Sequence, residues 1–354
     1  MATKHGRTQS QSVIVGVDTH QRTHHAAVVD EMGRVLADRE FEASKDGYRM
    51  LTEWAGGFGS VWVFGIESTG SYGAGLTRHV LAAGGDVIEV NRPNIVRRVT
   101  DGKSDPIDAV EAARSVLSGV ATARPKITTG AVESVRVIKI ARDGAMKARI
   151  AAMGQLRDLA TTAPEAVRQQ LLPLSGVMRI RKAAAFRPDL AQIGDPVQAA
   201  RMSLRALARR IQALDEEIAE ADAGLEALLR PMVPTLLARP QIGIQSAAQL
   251  VITAGQNIDR LHSEAAFAKL TGVAPRPASS GKTTRMRLSR GGDRQANKAL
   301  HLIAVGRLKG HSETLAYVHR RSSEGLSHLD IIRCLKRAIA RETYTALKTD
   351  LLTA

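Results

Sequence analysis

The sequence predicts a mixed α/β domain at the N-terminus, a long coiled-coil helix in the middle and a mainly helical C-terminal part. Three observations carry that expectation. Short runs of β-branched and aliphatic residues alternate with helical stretches only as far as Val90. From about Ala131 the apolar periodicity is helical. Between Leu204 and Leu228 apolar residues recur at spacings of 3, 4, 3, 4, 3, 4 and 3.

In chain order, Val13-Ile14-Val15-Gly16-Val17-Asp18 reads as a buried strand, and His25 to Asp30 and Arg34 to Phe41 read as two more around the turn Glu31-Met32-Gly33. Three successive strands predict an antiparallel meander. A helix from Gly47 to Ala55, a strand from Val61 to Glu67, a helix from Tyr72 to Ala83 and a strand from Asp86 to Val90 follow. The order β-β-β-α-β-α-β is that of a ribonuclease-H-like sheet with helices on its faces.

The helical stretch from Ala131 to Leu172 is interrupted at Pro164 and made basic by Arg136, Lys139, Arg142, Lys147 and Arg149. Asp195-Pro196 then offers an N-cap and an N1 proline. The run Leu204, Leu207, Ile211, Leu214, Ile218, Ala221, Leu225, Leu228 makes four heptads, which specify a coiled-coil helix stopped by Pro231. No comparably regular seam occurs elsewhere in the chain, so the expected partner is a second copy, in a dimer or tetramer, the alternative being an amphipathic helix packed on its own domain. Beyond Pro231 come a helix, a turn at Ile242-Gly243-Ile244 and another helix; a Gly, Ser and Arg-rich loop from Pro275 to Gly292; and helices from about Asp293 and Ser327, the last with a Ser327/Asp330 capping-box spacing. The expected division is 12–165, 166–230 and 231–354.

A chain of 354 residues exceeds one ordinary domain, and 44% hydrophobic with 24% charged residues excludes wholesale disorder. Lys and Arg total 50 against 35 Asp and Glu, a formal charge of +15, and the isoelectric point is near 10.4. A surface that basic faces polyanions, and nucleic acid is the leading partner class. Aromatic residues are only 3% of the chain, too few for base-stacking platforms, so contact runs through phosphates. The single cysteine, Cys334, and the absence of a leader-like or membrane-spanning run predict a cytoplasmic protein, associated with the nucleoid when acting.

Asp18 ends the first strand, and Glu67 ends the strand that would lie beside it. Asp105 and Asp108, in Lys103-Ser104-Asp105-Pro106-Ile107-Asp108-Ala109, are three apart at a helix start with a first-turn proline, so they share a face. Four converging carboxylates suit two Mg²⁺ ions in phosphodiester displacement. His20, His24 and His25 lack the cysteine or second histidine cluster of a zinc site and are expected as surface or substrate-facing residues.

Between Arg276 and Lys309 nine basic residues stand against one acid, Asp293. Arg276, Lys282, Arg285, Arg287, Arg290, Arg294 and Lys298 are the candidate phosphate contacts, and the nearby glycines allow close approach of backbone. Within the loop, Ser279-Ser280-Gly281-Lys282 sets hydroxyls beside cations, a setting suited to a nucleophile but equally to an ordinary turn.

Taken in order, Val17-Asp18-Thr19-His20, Ile66-Glu67-Ser68-Thr69-Gly70-Ser71-Tyr72, Val90-Asn91-Arg92-Pro93, Lys103 to Ala109, and Leu270-Thr271-Gly272-Val273-Ala274-Pro275 through Ser279-Ser280-Gly281 resemble the insertion-sequence 110 family of transposases over nearly the whole chain. That resemblance implies a RuvC-like Asp-Glu-Asp-Asp domain, a coiled-coil connector and a C-terminal transposase domain with a serine nucleophile. Carried onto this chain, the tetrad is Asp18, Glu67, Asp105 and Asp108, and the serine is Ser280. It further implies donor and target double-stranded DNA as partners, a noncoding bridge RNA as guide, composite sites shared between protomers and phosphoserine intermediates. One departure is Pro240-Gln241-Ile242-Gly243, where the family often has Pro-Gly-Ile-Gly.

Two other readings compete: a junction-resolving nuclease that needs the carboxylates and no serine, and a DNA-binding or coiled-coil interaction protein whose acids are structural.

Overall fold

The computed structural model describes residues 12–90, 104–277, 286–289 and 291–352. They form two compact units, one of the described residues up to 130 together with 255–260 and the other of 131–254 with the described residues from 261 on.

The first unit is built on a five-stranded sheet. Strands β1 (Ser12–Thr19), β2 (Thr23–Asp30) and β3 (Val35–Glu42) form the expected antiparallel meander, and β4 (Ser60–Glu67) and β5 (Val87–Val90) add in parallel on the other side of β1, in the order β3-β2-β1-β4-β5. The β2–β3 turn is tied by Asp30, whose carboxylate accepts from the backbone N–H of Met32 and of Arg34 at 2.9 Å each. Helices α1 (Lys45–Gly56), with Ser44 accepting from Gly47 N at 3.1 Å, and α2 (Ala74–Ala82) cover one face, where Val13, Val15, Val17, Ile66, Leu51 and Leu76 are buried together. The opposite face is covered by α3 (Asp105–Leu117), whose Ala112, Ala113 and Val116 pack on Ile14, Val29, Val63 and Val90. Alternation along β1 divides its valines from Ile14 between the two layers.

On the α3 face the strand positions nearest the helix are glycines. A Cβ at Gly16 would lie 2.0 Å from the carbonyl oxygen of Ala109 and 2.3 Å from Ala113 N, and one at Gly65 would lie 2.7 Å from Val116. The helix backbone therefore rests directly on the strands.

The second unit is helical apart from one short hairpin. Helix α4 (Gly130–Thr162) is followed by α5 (Glu165–Leu171), α6 (Gly176–Ala184) and α7 (Pro196–Met232). The expected interruption at Pro164 is present, and Asp195 caps α7 by accepting from Val197 N at 3.0 Å. The stop differs from the sequence expectation. Helix α7 continues through Pro231 to Met232, and the break falls at Val233 (φ −135°, ψ 54°), which precedes Pro234 and is pushed out of the helical region by its ring.

Part of the α7 seam is covered by the chain itself, while Leu207, Leu214, Ala221 and Leu228 stay half-buried. Leu204 and Ile211 are fully buried with Leu156 and Ala160 of α4, Val167 and Leu171 of α5, and Ile180, Ala183 and Phe186 at α6. Helix α4 runs antiparallel to α7. Arg142 reaches Asp222 at 2.8 Å, and Arg149, seven residues on, pairs with Asp215, seven residues back. A partner helix is expected from outside because α4 carries no strict heptad; ion pairs join α4 to α7, and α5 and α6 close over Leu204 and Ile211.

Beyond α7, short helix α8 (Pro234–Leu237) leads to α9 (Ile244–Ala254), α10 (Glu264–Leu270), hairpin strands β6 (Pro275–Pro277) and β7 (Met286–Leu288), α11 (Arg294–Arg307), α12 (Ser312–Ser323) and α13 (His328–Leu352). The turn before α9 places Gln241 at φ 60°, a left-handed conformation that suits glycine. Helix α13 is the spine of this part. Its Asp350 accepts from Thr235 N and Leu236 N at the start of α8 (3.1 and 2.9 Å), its Tyr344 hydroxyl donates to the Leu261 carbonyl at 2.6 Å, and its Arg337 pairs with Glu264. That guanidinium holds the Glu264 carboxyl down at about 2. No helix among the described residues is long and apolar enough to cross a membrane.

Gly16→Ala is expected to destabilise the protein by about 1–3 kcal/mol, because the strand cannot move away from the helix backbone without unpacking the face. Gly144→Ala, exposed in α4 with open space around its Cβ, should instead stabilise by about 0.5–1 kcal/mol. Chemical denaturation of the two variants against wild type checks both signs.

Candidate active site

Gly16 and Gly65 are register partners on β1 and β4, both facing α3. Two residues further along each strand, Asp18 and Glu67 face the same side by strand alternation, at the carboxyl ends of the two parallel strands. Thr19 Oγ1 donates to the Glu67 carbonyl at 3.1 Å and ties these ends together. The chain leaves Glu67 through Ser68, which has φ 52°, and its carbonyl accepts from Ser71 N and Gly73 N at 2.8 and 3.1 Å. This tight left-handed turn stores strain beside a site residue.

Asp105 and Asp108 come from the first turn of α3, preceded by the extended residue Ser104. The positive end of the helix dipole favours both carboxylates there. Asp18, Glu67 and Asp108 are 6%, 6% and 4% exposed, and the Asp105 side chain is half-exposed. Burial pushes the Asp18 carboxyl up from its ordinary value, and the charges of Asp108 and Asp105 push the same way, while His20 opposes them. His20 Nε2 lies 3.2 Å from Asp18 Oδ2 and 3.4 Å from Asp105 Oδ1, and donor atoms of these three residues all fall within 4.8 Å of one another.

The three histidines separate into different environments. His24 is fully buried on the face opposite Asp18, stacked on Tyr48 at 5.6 Å, and corrects the expectation of a surface residue: the strand end it occupies is roofed by α1. His25 is directly across from Asp18 in register, and its Nε2 meets Asp38 Oδ2 at 2.6 Å. His20 is partly exposed as expected, but it faces the acids, which the sequence does not separate from the settings of His24 and His25. The signal available was its position two residues past a strand-end acid.

In the second unit, Arg276 of β6 and Arg287 of β7 are register partners and both exposed. The base of this hairpin is braced. Asn297 Nδ2 donates to the Thr271 and Gly272 carbonyls at 3.0 and 3.1 Å, and Lys336 Nζ donates to Asn297 Oδ1 at 2.6 Å. Asp293 caps α11 through Gln295 N (2.8 Å) and Ala296 N (3.1 Å) and accepts from Thr253 Oγ1 of α9 at 2.6 Å. From that cap Arg294, Lys298 and His301 project along one exposed face, lining a cavity of about 640 Å³ with Gly291 and Gly292. Arg307, counted in the basic stretch, is not part of this surface; it is buried, pairing with Glu342 at 2.8 Å and donating to the Pro240 carbonyl at 3.1 Å. Ser280, Lys282, Arg285 and Arg290 lie outside the described residues, as does the Val90-Asn91-Arg92-Pro93 motif beyond Val90.

Two family matches cover most of this architecture. The IS110 DEDD transposase family, described as "Transposase", matches residues 15–163, and the "Transposase IS116/IS110/IS902 family" matches residues 234–319. Among individual proteins, the chain is 23% identical to the insertion element IS110 uncharacterized 43.6 kDa protein of Streptomyces coelicolor, across 93% of this chain and 92% of the relative. It is 28% identical to the insertion element IS900 uncharacterized 42 kDa protein of Mycobacterium paratuberculosis, across 37% of this chain and 34% of the relative.

The crowding of acids gives a test free of catalysis. Because the folded Asp18 carboxyl titrates above its ordinary value, its ionisation costs folding stability; that cost is absent below about pH 4 and complete once the pH has risen past the folded value. Asp18→Asn should therefore raise the melting temperature of chelator-treated protein at pH 7–8, with the gain vanishing below about pH 4. Melting curves across that range check it.

Proposed function

The chain belongs to the IS110 family of transposases, and from that premise we propose that it excises and inserts its own element, with Asp18, Glu67, Asp105 and Asp108 as the metal-holding carboxylates and Ser280 as the covalent nucleophile. The observation that carries the catalytic reading is the meeting of two strand-end acids with two helix-start acids on one sheet face. We read the strand order β3-β2-β1-β4-β5, with β2 alone antiparallel to β1 beside a parallel β4 and β5, as ribonuclease-H-like. Asp18, Glu67 and Asp108 are at least nine-tenths buried, the charges of Asp108 and Asp105 act on Asp18, and the hard oxygen donors of these acids fit Mg²⁺. Two Mg²⁺ ions, when bound, polarise the scissile phosphodiester and stabilise the leaving oxygen.

The chain's own residues do the rest. Asp18 and Glu67 are held by the sheet and Asp105 and Asp108 by α3, so the contact at Gly16 sets the spacing of the two pairs. Ser280 belongs to the segment joining β6 to β7. Its hydroxyl oxygen attacks phosphorus, the bridging DNA oxygen departs as a strand-end hydroxyl, and the phosphoserine conserves the bond energy until a hydroxyl of the other DNA displaces the serine. Arg276, Lys282, Arg285, Arg287, Arg290, Arg294 and Lys298 neutralise DNA or RNA phosphates.

In this reading, residues 12–165 act as the catalytic domain, 166–230 as the connector, and 231–354 as the transposase domain. The protomers associate as a dimer or tetramer, so that the carboxylates of one meet the serine of another. A noncoding bridge RNA from the element guides donor and target DNA.

Wild-type protein given donor DNA, target DNA and the element's RNA should yield a protein–DNA adduct on denaturing gels, mapped by mass spectrometry to Ser280. Ser280→Ala should bind DNA and form no adduct, and Asp108→Ala should lose cleavage by at least about 10³-fold with binding retained. Free cleaved ends without an adduct would favour the junction-resolving nuclease. An adduct on Ser279 would move the nucleophile by one residue.

A further inference from the structure

We propose that His20 joins Asp18 and Asp105 as a nitrogen ligand of one bound divalent cation, making that position a mixed nitrogen and oxygen site that takes Mn²⁺ in preference to Mg²⁺. The inference rests on the metal-dependent reading above and assigns a ligand outside the four carboxylates.

Its basis is spatial. Ligands held about 2.1 Å from a first-row cation, at the angles of tetrahedral or octahedral coordination, lie about 3.0–3.5 Å from one another. The Nε2 of His20 stands at 3.2 Å from Asp18 Oδ2 and 3.4 Å from Asp105 Oδ1, inside that range on both sides. A single N–H directed at Asp18 Oδ2 leaves Asp105 Oδ1 at best a long, bifurcated share, whereas a cation among the three donors is coordinated by all of them. The imidazole is also well anchored for this role. His20 N donates to the Thr23 carbonyl at 3.0 Å, closing the turn after β1, and the preceding Thr19 is tied to Glu67. Its side chain is 44% exposed, which leaves an open approach for an ion from solvent.

The neighbouring histidines do not share the arrangement. His25 is engaged by Asp38, and His24 lies under Tyr48 on the other face. A carboxylate-only position suits Mg²⁺, while an imidazole shifts preference toward Mn²⁺ and later first-row metals. The two metal positions of the site are then chemically unequal, with the His20 side the more selective.

The test uses full-length protein and Mn²⁺ alone as the probe. Free Mn²⁺ is counted by electron paramagnetic resonance during titration, and pulsed measurements detect nitrogen bound directly to the ion. Wild type is expected to show imidazole nitrogen coupling. His20→Gln should lose that coupling, bind Mn²⁺ about tenfold more weakly, and show a smaller Mn²⁺ advantage in Mg²⁺ competition. His20→Asp should recover affinity without nitrogen coupling, which separates ligand loss from misfolding. Bound Mn²⁺ without nitrogen coupling in wild type, or coupling that survives in His20→Gln, overturns the proposal and leaves the carboxylate site standing. Absence of Mn²⁺ binding in wild type, or unchanged binding in Asp18→Asn, overturns the metal reading and this proposal with it.

Discussion

The contact of α3 with β1 is the constraint on which the candidate site depends. Gly16 removes the side chain that would stand between strand and helix backbone, and Gly65 does the same one strand over. The helix then sits low enough for Ala112, Ala113 and Val116 to fill the layer with small side chains, and its first turn arrives at the level of the strand ends. Any larger residue at Gly16 lifts that turn and separates Asp105 and Asp108 from Asp18 and Glu67. The packing of the core and the spacing of the carboxylates are therefore one geometric fact.

The same contact sets the electrostatics. Like charges are brought together under partial burial, a state that costs folding energy and that a cation repays. The N-terminus of α3 offsets part of the cost through its dipole, and His20 offsets more at Asp18. Acids in water would separate; here the sheet and helix hold them. Unfavourable repulsion at Asp18 is an expression of this preorganisation.

The second unit follows a different logic, in which long helices gain stability from side-chain packing and paired charges along antiparallel rows. Ion pairs from Arg142 and Arg149 recur one heptad apart on α4 and meet acids one heptad apart on α7. Buried Arg307 and the capping Asp350 show charged groups spent on joining helices, not on the surface. Four exposed basic residues, Arg276 with Arg287 on the hairpin and Arg294 with Lys298 on α11, stand on a base braced by Asn297, Lys336 and Asp293. These cations are carried on a rigid backbone, even where each side chain is solvated.

The sequence by itself determined the strands, their meander, the helices that follow them and the four acids at element ends, because alternation, helical periodicity and turn residues are local properties. It also determined the strongly basic balance and the ordered motifs that resemble the transposase family. What it did not determine was how much of an apolar seam its own chain covers: only the tertiary structure gathers Leu204 and Ile211 of α7 with residues of α4, α5 and α6. Nor could it separate His20 from His24 and His25, since which face a histidine meets depends on strand register and on the helix lying above it. The end of α7 moved past Pro231 because the decisive clash belongs to Pro234 and the residue before it. The nearness of His20 to Asp105 was decided only by the tertiary structure, because two residues 85 positions apart are brought together through the backbone contact at Gly16.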